Sequence, residues 1–336
     1  MSAGTLDEVD RRLLHALQIE PRGTWAELAP VIGVDAATLA RRWTRLSEAG
    51  IAWVTGHSMR GQLAILEVDC DLGRLEQVVA ALQRDPHIII LDHASGSRDL
   101  LALVRASDLG ELSAYAVGQL AQIPGIRAVR THLTVELLID ASSWRLRALS
   151  PDEAAHIRPP LPPRPRARRD VPDDLRLAIE DQLWQDGRMP IRLIAERTGF
   201  APQRIADAIA TLRHRGELRF RTDVARGDTG WPVYAWYFVE APAHVIEATR
   251  ESIVAVPEVR LAMTAASRYN LILAVWLRQL SDVDRFEIAL EKALHGARIA
   301  DRSVVLRISK QMGRTVGTDT RAIGLAGDIV SPTLDS

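Results

Sequence analysis

The sequence predicts an α+β protein in which one two-part unit occurs twice. Matching residues recur at an offset of 166 in the first part of the unit and at 171 in the second. Within each unit the hydrophobic spacing changes from helical to alternating, which separates a helical part from a strand-rich part. The predicted architecture is two winged helix-turn-helix domains and two ferredoxin-like α/β sandwiches of order β-α-β-β-α-β, in tandem. The matches include Arg22 with Arg188, Gly33 with Gly199, Gly50 with Gly216, Pro86 with Pro257 and Gly125 with Gly296.

Composition excludes several classes of protein. The 336 residues carry a net charge of −1, so any nucleic-acid contact must come from a local patch. The single cysteine, Cys70, rules out an intrachain disulfide and a cysteine-based zinc site, and no histidine pair has metal-ligand spacing. The polar stretch Met1 to Arg12 does not resemble a signal peptide, and the apolar run Leu271–Leu277 is shorter than the roughly 20 residues of a membrane span. We expect a cytoplasmic protein with neither metal nor cofactor.

Residues 1–58 predict a winged helix-turn-helix domain. Capping residues and glycine stops mark the helix ends, and apolar residues at helical spacing mark the buried faces. The predicted elements are a helix from Leu6 to Gln18, a second helix capped by Thr24 and Glu27 and ended by Gly33, a third capped by Asp35 and running to about Ala49, and a strand or wing from Ile51 to Gly56.

Residues 59–145 change to strand-like periodicity and predict a ferredoxin-like sandwich, the expected effector and oligomerisation domain. The predicted elements are strand Leu63 to Val68, helix Leu72 to Arg84, strand His87 to His93, a turn at Gly96 to Asp99, strand Leu100 to Arg105, helix Asp108 to Gln122 and strand Ile126 to Ile139.

Residues 146–170 predict a proline- and arginine-rich linker, which is either a solvated spacer or an arm on DNA phosphates. A second, divergent winged helix-turn-helix is expected over 171–228, a second sandwich over 229–312 and a poorly ordered tail over 313–336. The two sandwiches are expected to pair within the chain through their apolar strands Leu100 to Val104 and Leu271–Leu277. The basic residues of the linker are Arg158, Arg164, Arg166, Arg168 and Arg169.

The third helix has the pattern of a DNA-recognition helix. Leu39, Trp43 and Leu46 form its predicted buried stripe. A neighbouring face carries hydrogen-bond donors that suit phosphates and guanine edges in a major groove. A solvated polar face is the simpler interpretation of arginines alone, but the preceding helix and turn favour DNA contact. The predicted DNA-binding residues on this face are Thr38, Arg41, Arg42 and Arg45.

The corresponding helix of the second unit keeps the apolar stripe but loses this face. Positions matching the four donors hold Arg204, Asp207, Ala208 and Thr211, and the N-cap position holds Ala201. Asp207 would repel phosphate. Our hypothesis is that this copy is a weaker or differently aimed reader that still contacts DNA. Its candidate residues are Gln203 and Arg204, together with Arg213 and Arg215.

These motifs resemble the Lrp/AsnC (leucine-responsive) family of bacterial regulators. The resemblance rests on Leu6-Asp7-Glu8-Val9-Asp10 and on Asp35 to Leu46, where the family pattern is Ser-x-x-Thr-hydrophobic-x-Arg-Arg-hydrophobic-x-Arg-Leu. It covers about residues 5 to 312 in two copies, similar to tandem forms common in actinobacteria. It implies a transcriptional regulator that binds double-stranded DNA as a homodimer or higher homo-oligomer.

The resemblance also implies a small effector, usually an amino acid, bound near a Gly-x-x-Asp turn where two sensing domains meet. In this chain the turn is Gly96, Ser97, Arg98 and Asp99, and the second unit replaces it with Ser267 to Asn270. The simpler alternatives are that Gly96 serves only the hairpin and that Asp99 only caps backbone N–H groups.

We expect no enzymatic activity, and two other functions stay open. Siroheme decarboxylases are similar in architecture, and Tyr269-Asn270-Leu271 loosely resembles their Tyr-Asn segment. The arginines of the first recognition helix argue against a pure enzyme. A pure oligomerisation scaffold would not bind DNA at all.

Overall fold

The computed structural model describes residues 6–164 and 170–326. The chain divides into two compact units, each built from two separate stretches. The helical unit combines Met1–Arg60 with Arg145–Asp228, and the sheet unit combines Gly61–Trp144 with Thr229–Ser336. No helix of the described part is long and apolar enough to span a membrane.

The described residues contain the following helices and strands, numbered in chain order. The helices are α1 (Glu8–Ile19), α2 (Trp25–Ile32), α3 (Ala36–Glu48), α4 (Leu75–Arg84), α5 (Leu109–Ser113), α6 (Pro151–Ala155), α7 (Asp173–Gln185), α8 (Ile191–Thr198), α9 (Pro202–His214), α10 (Ala243–Ala255) and α11 (Asp282–Ala293). The strands are β1 (Ala52–Ser58), β2 (Gln62–Cys70), β3 (Ile88–Ala94), β4 (Leu100–Ala106), β5 (Ile126–Ile139), β6 (Leu218–Val224), β7 (Val233–Glu240), β8 (Val259–Ala266), β9 (Leu271–Leu277), β10 (Arg298–Gln311), β11 (Arg314–Val316) and β12 (Ala322–Leu325).

The predicted caps of α2 and α3 are confirmed, and the structure adds a cap at Asp7 for α1. Asp7 and Thr24 each accept a hydrogen bond from the third backbone N–H of their helix and complete a capping box. Asp35 accepts from the Thr38 N–H, and Gly33 ends α2 in the left-handed conformation at φ +86°. The predicted lack of a side-chain cap at Ala201 is also confirmed.

The helical unit contains two small cores. Helices α1 to α3 bury leucines around Leu13, Leu39 and Leu46, and α7 to α9 bury isoleucines around Ile179 and Ile205. Trp43 was expected in the stripe of the first core alone. It is only half-buried, and it packs against both cores because it lies between them.

The two predicted wings pair with each other. Strands β1 and β6 form an antiparallel two-stranded sheet in which Val54 lies opposite Thr222 and Gly56 opposite Phe220. This pairing satisfies the backbone groups on the facing edges of the two strands.

Arg22 and Arg188 make reciprocal contacts across the same pairing. Arg22 donates from Nη1 to the carbonyl of Gly187 at 2.5 Å and from Nη2 to that of Met189 at 3.0 Å. Arg188 donates in turn to the carbonyls of Pro21 and Gly23. Burial lowers the pKa of Arg188 to about 10, with the nearby Arg22 charge adding to the effect. These four hydrogen bonds therefore hold the turn that precedes α2 against the turn that precedes α8.

The sheet unit is a closed antiparallel ring. The order β3-β4-β2-β5 continues through β8-β9-β7-β10, and β10 pairs with both β7 and β3. Each group of four strands has the order of a ferredoxin-like sheet. The groups join through β5–β8 and β10–β3, so the expectation that β4 and β9 supply the pairing was wrong. Both are central strands whose backbone groups are already used on each side.

Two expectations on the helices of the sheet unit were wrong. The helix predicted over Asp108 to Gln122 is α5 followed by a π-helical segment, Ala114–Gln119, and a 3-10 turn, Leu120–Gln122. The wider turn accompanies burial of Tyr115, which stacks on His87 with ring centroids 4.4 Å apart. Helix α4 begins at Leu75 instead of Leu72, whose side chain is fully exposed.

The tail predicted to be poorly ordered forms the hairpin β11–β12 up to residue 325, because Gly313 turns the chain back along β10. Within the predicted linker, α6 carries a capping box and places Leu149 and Ile157 in the first core. Linker residues Arg166, Arg168 and Arg169 lie outside the described residues.

Candidate nucleic-acid interface and ligand-binding region

The outer face of α3 presents the side chains predicted to bind DNA. Arg41 is exposed, and its Nη2 donates to Thr38 Oγ1 at 2.9 Å. Thr38 Oγ1 in turn donates to the Asp35 carboxylate at 2.7 Å. This chain of contacts connects the helix cap to Arg41 and orients its guanidinium at the start of the recognition helix.

Acidic side chains at the start of α1 form ion pairs with the guanidinium groups of Arg42 and Arg45. Arg42 Nη1 lies 2.6 Å from Asp7 Oδ2 and 2.8 Å from Asp10 Oδ1, and Arg45 Nη2 lies 2.6 Å from Asp10 Oδ2. Asp10 is 2% exposed, whereas Arg45 keeps about half of its side chain in solvent. Hydrogen bonds to both aspartates raise the pKa of Arg42. The acidic pair therefore positions both arginines on the α3 face.

Helix α9 of the helical unit exposes fewer polar side chains than α3. Ala208 and Thr211 are buried in the second core and cannot face a ligand. Asp207 forms a two-point ion pair with Arg164 of the linker, at 2.8 and 2.6 Å. Gln203 and Arg204 are exposed, and the Arg204 guanidinium lies 5.3 Å from the Phe200 ring centroid.

Arg213, suggested as a DNA contact, is an internal residue instead. Its guanidinium donates to both carboxylate oxygens of Glu20 at 3.0 and 2.8 Å and lies over the Phe220 ring. Glu20 is 193 residues away in the sequence, so no motif near Arg213 could have predicted this ion pair. The neighbouring Arg215 is exposed.

The Gly96–Asp99 turn connects β3 to β4 in the sheet unit. Gly96 has a φ of +94°, a left-handed conformation that favours glycine. Asp99 Oδ2 accepts from the Cys70 N–H at 2.7 Å, so its carboxylate has the backbone-capping role of the simpler alternative. In the second turn Asn270 Oδ1 accepts from the Ala241 N–H at 2.9 Å in the matching position.

Arg98 lies in a buried charged cluster that the sequence did not reveal. Its Nε is 3.1 Å from Glu67 Oε2, its Nη1 donates to Ser303 Oγ at 3.0 Å, and it also pairs with Asp301, as does the Ser97 hydroxyl. The Arg98 guanidinium stands 4.3 Å from the centroid of the Phe238 ring. The one available signal was Glu67, a glutamate between the apolar residues Leu66 and Val68 of strand β2.

His132 completes this cluster. Its two ring nitrogens lie 2.8 Å from Glu67 Oε1 and 2.9 Å from Ser267 Oγ, and its ring lies 5.6 Å from that of Tyr269. Burial acts to raise the pKa of Glu67, but hydrogen bonds from His132 and Arg130 and the Arg98 charge outweigh it and lower that pKa to about 2. Glu67 is therefore a buried carboxylate that stays ionised.

A surface cavity of about 670 Å³ lies beside the second turn. It is lined by Ser267, Arg268 and Asn270 of the turn and by Glu240 and Arg298. Both arginines contact Glu240, at 2.9 and 2.6 Å. Within the described residues no group of three or more histidine, cysteine or acidic side chains could hold a metal ion.

Comparison with known proteins agrees with the two parts of this geometry. Residues 6–47 match the AsnC-type helix-turn-helix domain, and residues 63–144 match the Lrp/AsnC ligand-binding domain. An HTH-type transcriptional regulator of Pyrococcus abyssi is 31% identical over 133 residues, which is 37% of this chain and 89% of the relative. One from Pyrococcus horikoshii is 28% identical over 148 residues, covering 41% of this chain and 89% of the relative.

One solved structure is similar over most of the chain. The siroheme decarboxylase NirDL superposes with a TM-score of 0.59, covering 91% of this chain and 93% of its own at 15% identity. At this identity the similarity concerns the fold.

The helix-turn-helix and the ferredoxin-like sheet together define a DNA-binding regulator with a ligand-binding domain. The matched relatives are named as transcriptional regulators, which supports the expectation that the chain is not an enzyme. The chain belongs to the Lrp/AsnC family.

Proposed function

We propose that this regulator binds double-stranded DNA through α3, carries both family domains twice, and responds to a small effector of the amino-acid type. The observation that carries the DNA assignment is the anchored donor face of Thr38, Arg41, Arg42 and Arg45. Asp7 and Asp10 orient Arg42 and Arg45, and Thr38 orients Arg41, so little side-chain entropy remains to be lost on binding. Gln203 and Arg204 on α9 are proposed as additional contacts.

The tandem arrangement is supported by three features. The matched residues recur at an offset of 166 in the first part and 171 in the second, helices α7 to α9 and strand β6 repeat the order of α1 to α3 and β1, and the strands of the sheet unit fall into two groups of identical order. We further propose that full chains assemble as homodimers or larger homo-oligomers.

Anisotropy titration of the full chain against DNA upstream of its own gene, at two salt concentrations, tests DNA binding. We expect tight binding that weakens with salt and that Arg41→Ala weakens about 10-fold or more. Arg285→Ala is the matched control, because Arg285 is also an exposed arginine but belongs to the sheet unit. Equal effects of the two variants would refute the role of α3.

The effector is proposed to bind at the sheet unit near Gly96, Ser97, Arg98 and Asp99. Calorimetric titration with a panel of amino acids tests this assignment. Loss of heat in Ser97→Ala, whose hydroxyl faces Asp301, is the expected result. Unchanged binding by that variant would move the site elsewhere, for which the cavity beside Arg268 and Arg298 is available.

A siroheme-decarboxylase-like enzyme is the second candidate, supported by the similarity of fold across the chain. The absorption spectrum of the purified protein, alone and after titration with an iron tetrapyrrole, distinguishes the two functions. A regulator gives no specific tetrapyrrole complex.

A further inference from the structure

We infer that the chain recognises an asymmetric duplex site, in which α3 reads bases and the α9 side contacts the backbone without reading sequence. The inference rests on the proposed DNA-binding function and concerns the kind of DNA that is bound. Its basis is that one covalent chain supplies two paired helix-turn-helix halves whose outer faces differ.

The pairing of the halves is reciprocal. The β1–β6 ladder and the exchange of turn contacts between Arg22 and Arg188 relate the halves by an approximate two-fold axis. In a symmetric dimer such an axis brings two identical recognition helices to DNA, and the operator is then palindromic. Here the axis relates α3 to α9, whose side chains are not the same.

The difference extends to the residues behind the helix. Asp10, which orients Arg42 and Arg45, corresponds to Arg176 in the second half. Arg176 is turned along its own helix, 2.9 Å from Asp173 and 2.9 Å from Glu180. The second half therefore lacks both the outer arginines and the buried carboxylate that would position them.

The exposed remainder of α9 suits phosphate more than base edges. Ala208 and Thr211 are 4% and 5% exposed, so the side chains at these two central positions of the helix cannot contact DNA. Arg164 neutralises Asp207 and thereby removes a charge that would repel DNA. The exposed polar side chains of α9 are Gln203 and Arg204 near its start and His214 and Arg215 at its end, and Arg215 lies 3.7 Å from Glu217. Arg204 therefore supplies positive charge near the helix start without a continuous recognition face.

In vitro selection from random duplexes with the full chain tests this inference. Complexes of one chain per duplex are isolated on native gels and their DNA is sequenced. We expect one conserved block of about 5 bp, half a helical turn, with no inverted copy one turn (about 10 bp) away. An enriched inverted repeat would overturn the inference and leave the proposed function standing. Failure to enrich any sequence would overturn both.

Two arginine variants provide an independent measurement on the selected duplex and on a scrambled one. Arg41→Ala should weaken binding to the selected duplex about 10- to 100-fold and reduce the preference over the scrambled duplex. Arg204→Ala should weaken both duplexes by the same factor, because a phosphate contact is independent of sequence. If Arg204→Ala instead reduces the preference, α9 reads bases and the inference is wrong. Both side chains are exposed, and circular dichroism confirms that the variants fold.

Discussion

The buried carboxylate of Asp10 receives Arg45 at 2.6 Å, so a residue of the first helix holds a residue of the recognition helix. The same carboxylate accepts from Arg42 at 2.8 Å and also belongs to the capping box of α1. A single side chain thus links the start of one helix to the exposed face of another.

Asp10→Asn is expected to destabilise the protein by about 1–3 kcal/mol, because removing one partner leaves charged groups that are only partly solvated. Urea unfolding measures the loss. Glu196→Gln is the control: it removes an exposed i,i+4 partner of Arg192 and should change stability by less than about 0.5 kcal/mol. Equal losses in the two variants would show that Asp10 has no special role.

The buried His15 side chain is expected to make the free energy of unfolding depend on pH. Burial lowers its pKa from 6.5 to about 4, with Arg145 and Arg147 adding to the effect, and its Nδ1 accepts from the Leu149 N–H at 2.8 Å. The unfolded chain therefore takes up a proton at higher pH than the folded one. Stability is retained above pH 6.5 and is lost as the pH falls toward 4, by about 3 kcal/mol in total.

Melting temperatures across that range test the assignment. His15→Asn offers an acceptor in place of Nδ1 and does not titrate, so its stability should vary less between pH 6.5 and 4. His93 in the sheet unit, whose pKa is also lowered to about 4 by burial and by Arg307, leaves a residual dependence. An unchanged pH profile in His15→Asn would exclude His15 as a source.

Glu67 is expected to be the most sensitive position of the charged cluster. Glu67→Gln removes the carboxylate that faces buried Arg98 and His132, and should cost about 3 kcal/mol. The double variant Glu67→Gln/Arg98→Met also removes the buried cation, so it should be more stable than Glu67→Gln alone. Chemical denaturation of the wild type, Glu67→Gln, Arg98→Met and the double variant gives the comparison, and additive losses would contradict the coupling.

Substitution of Gly187 tests how closely the turn that contains it must approach strand β1 in the helical unit. A Cβ there would lie 2.5 Å from Val54 Cγ1 and 3.0 Å from the Gly56 backbone nitrogen. Gly187→Ala should therefore cost about 1–3 kcal/mol, measured by thermal unfolding. Gly118→Ala is the control, since a Cβ at that helical position meets no atom within 4 Å. A neutral Gly187→Ala would mean that the turn and β1 can separate.

Local signals account for the parts of the fold that were predicted. The caps at Thr24 and Asp35 act on N–H groups three residues away, and alternation or helical spacing marks buried faces within one element. The candidate donors on α3 follow in the same way, because helical periodicity places them on one face.

The sequence by itself predicted a repeated plan, and it determined the helix limits in the helical unit and which side chains α9 carries in place of the α3 donors. Tertiary structure alone decided which partners these elements took. Arg45 reaches Asp10 and Arg213 reaches Glu20 across 35 and 193 residues, and the ring closes through β5–β8 and β10–β3. Such contacts depend on how whole elements pack, and hydrophobic period and capping chemistry carry no information about pairing at that distance.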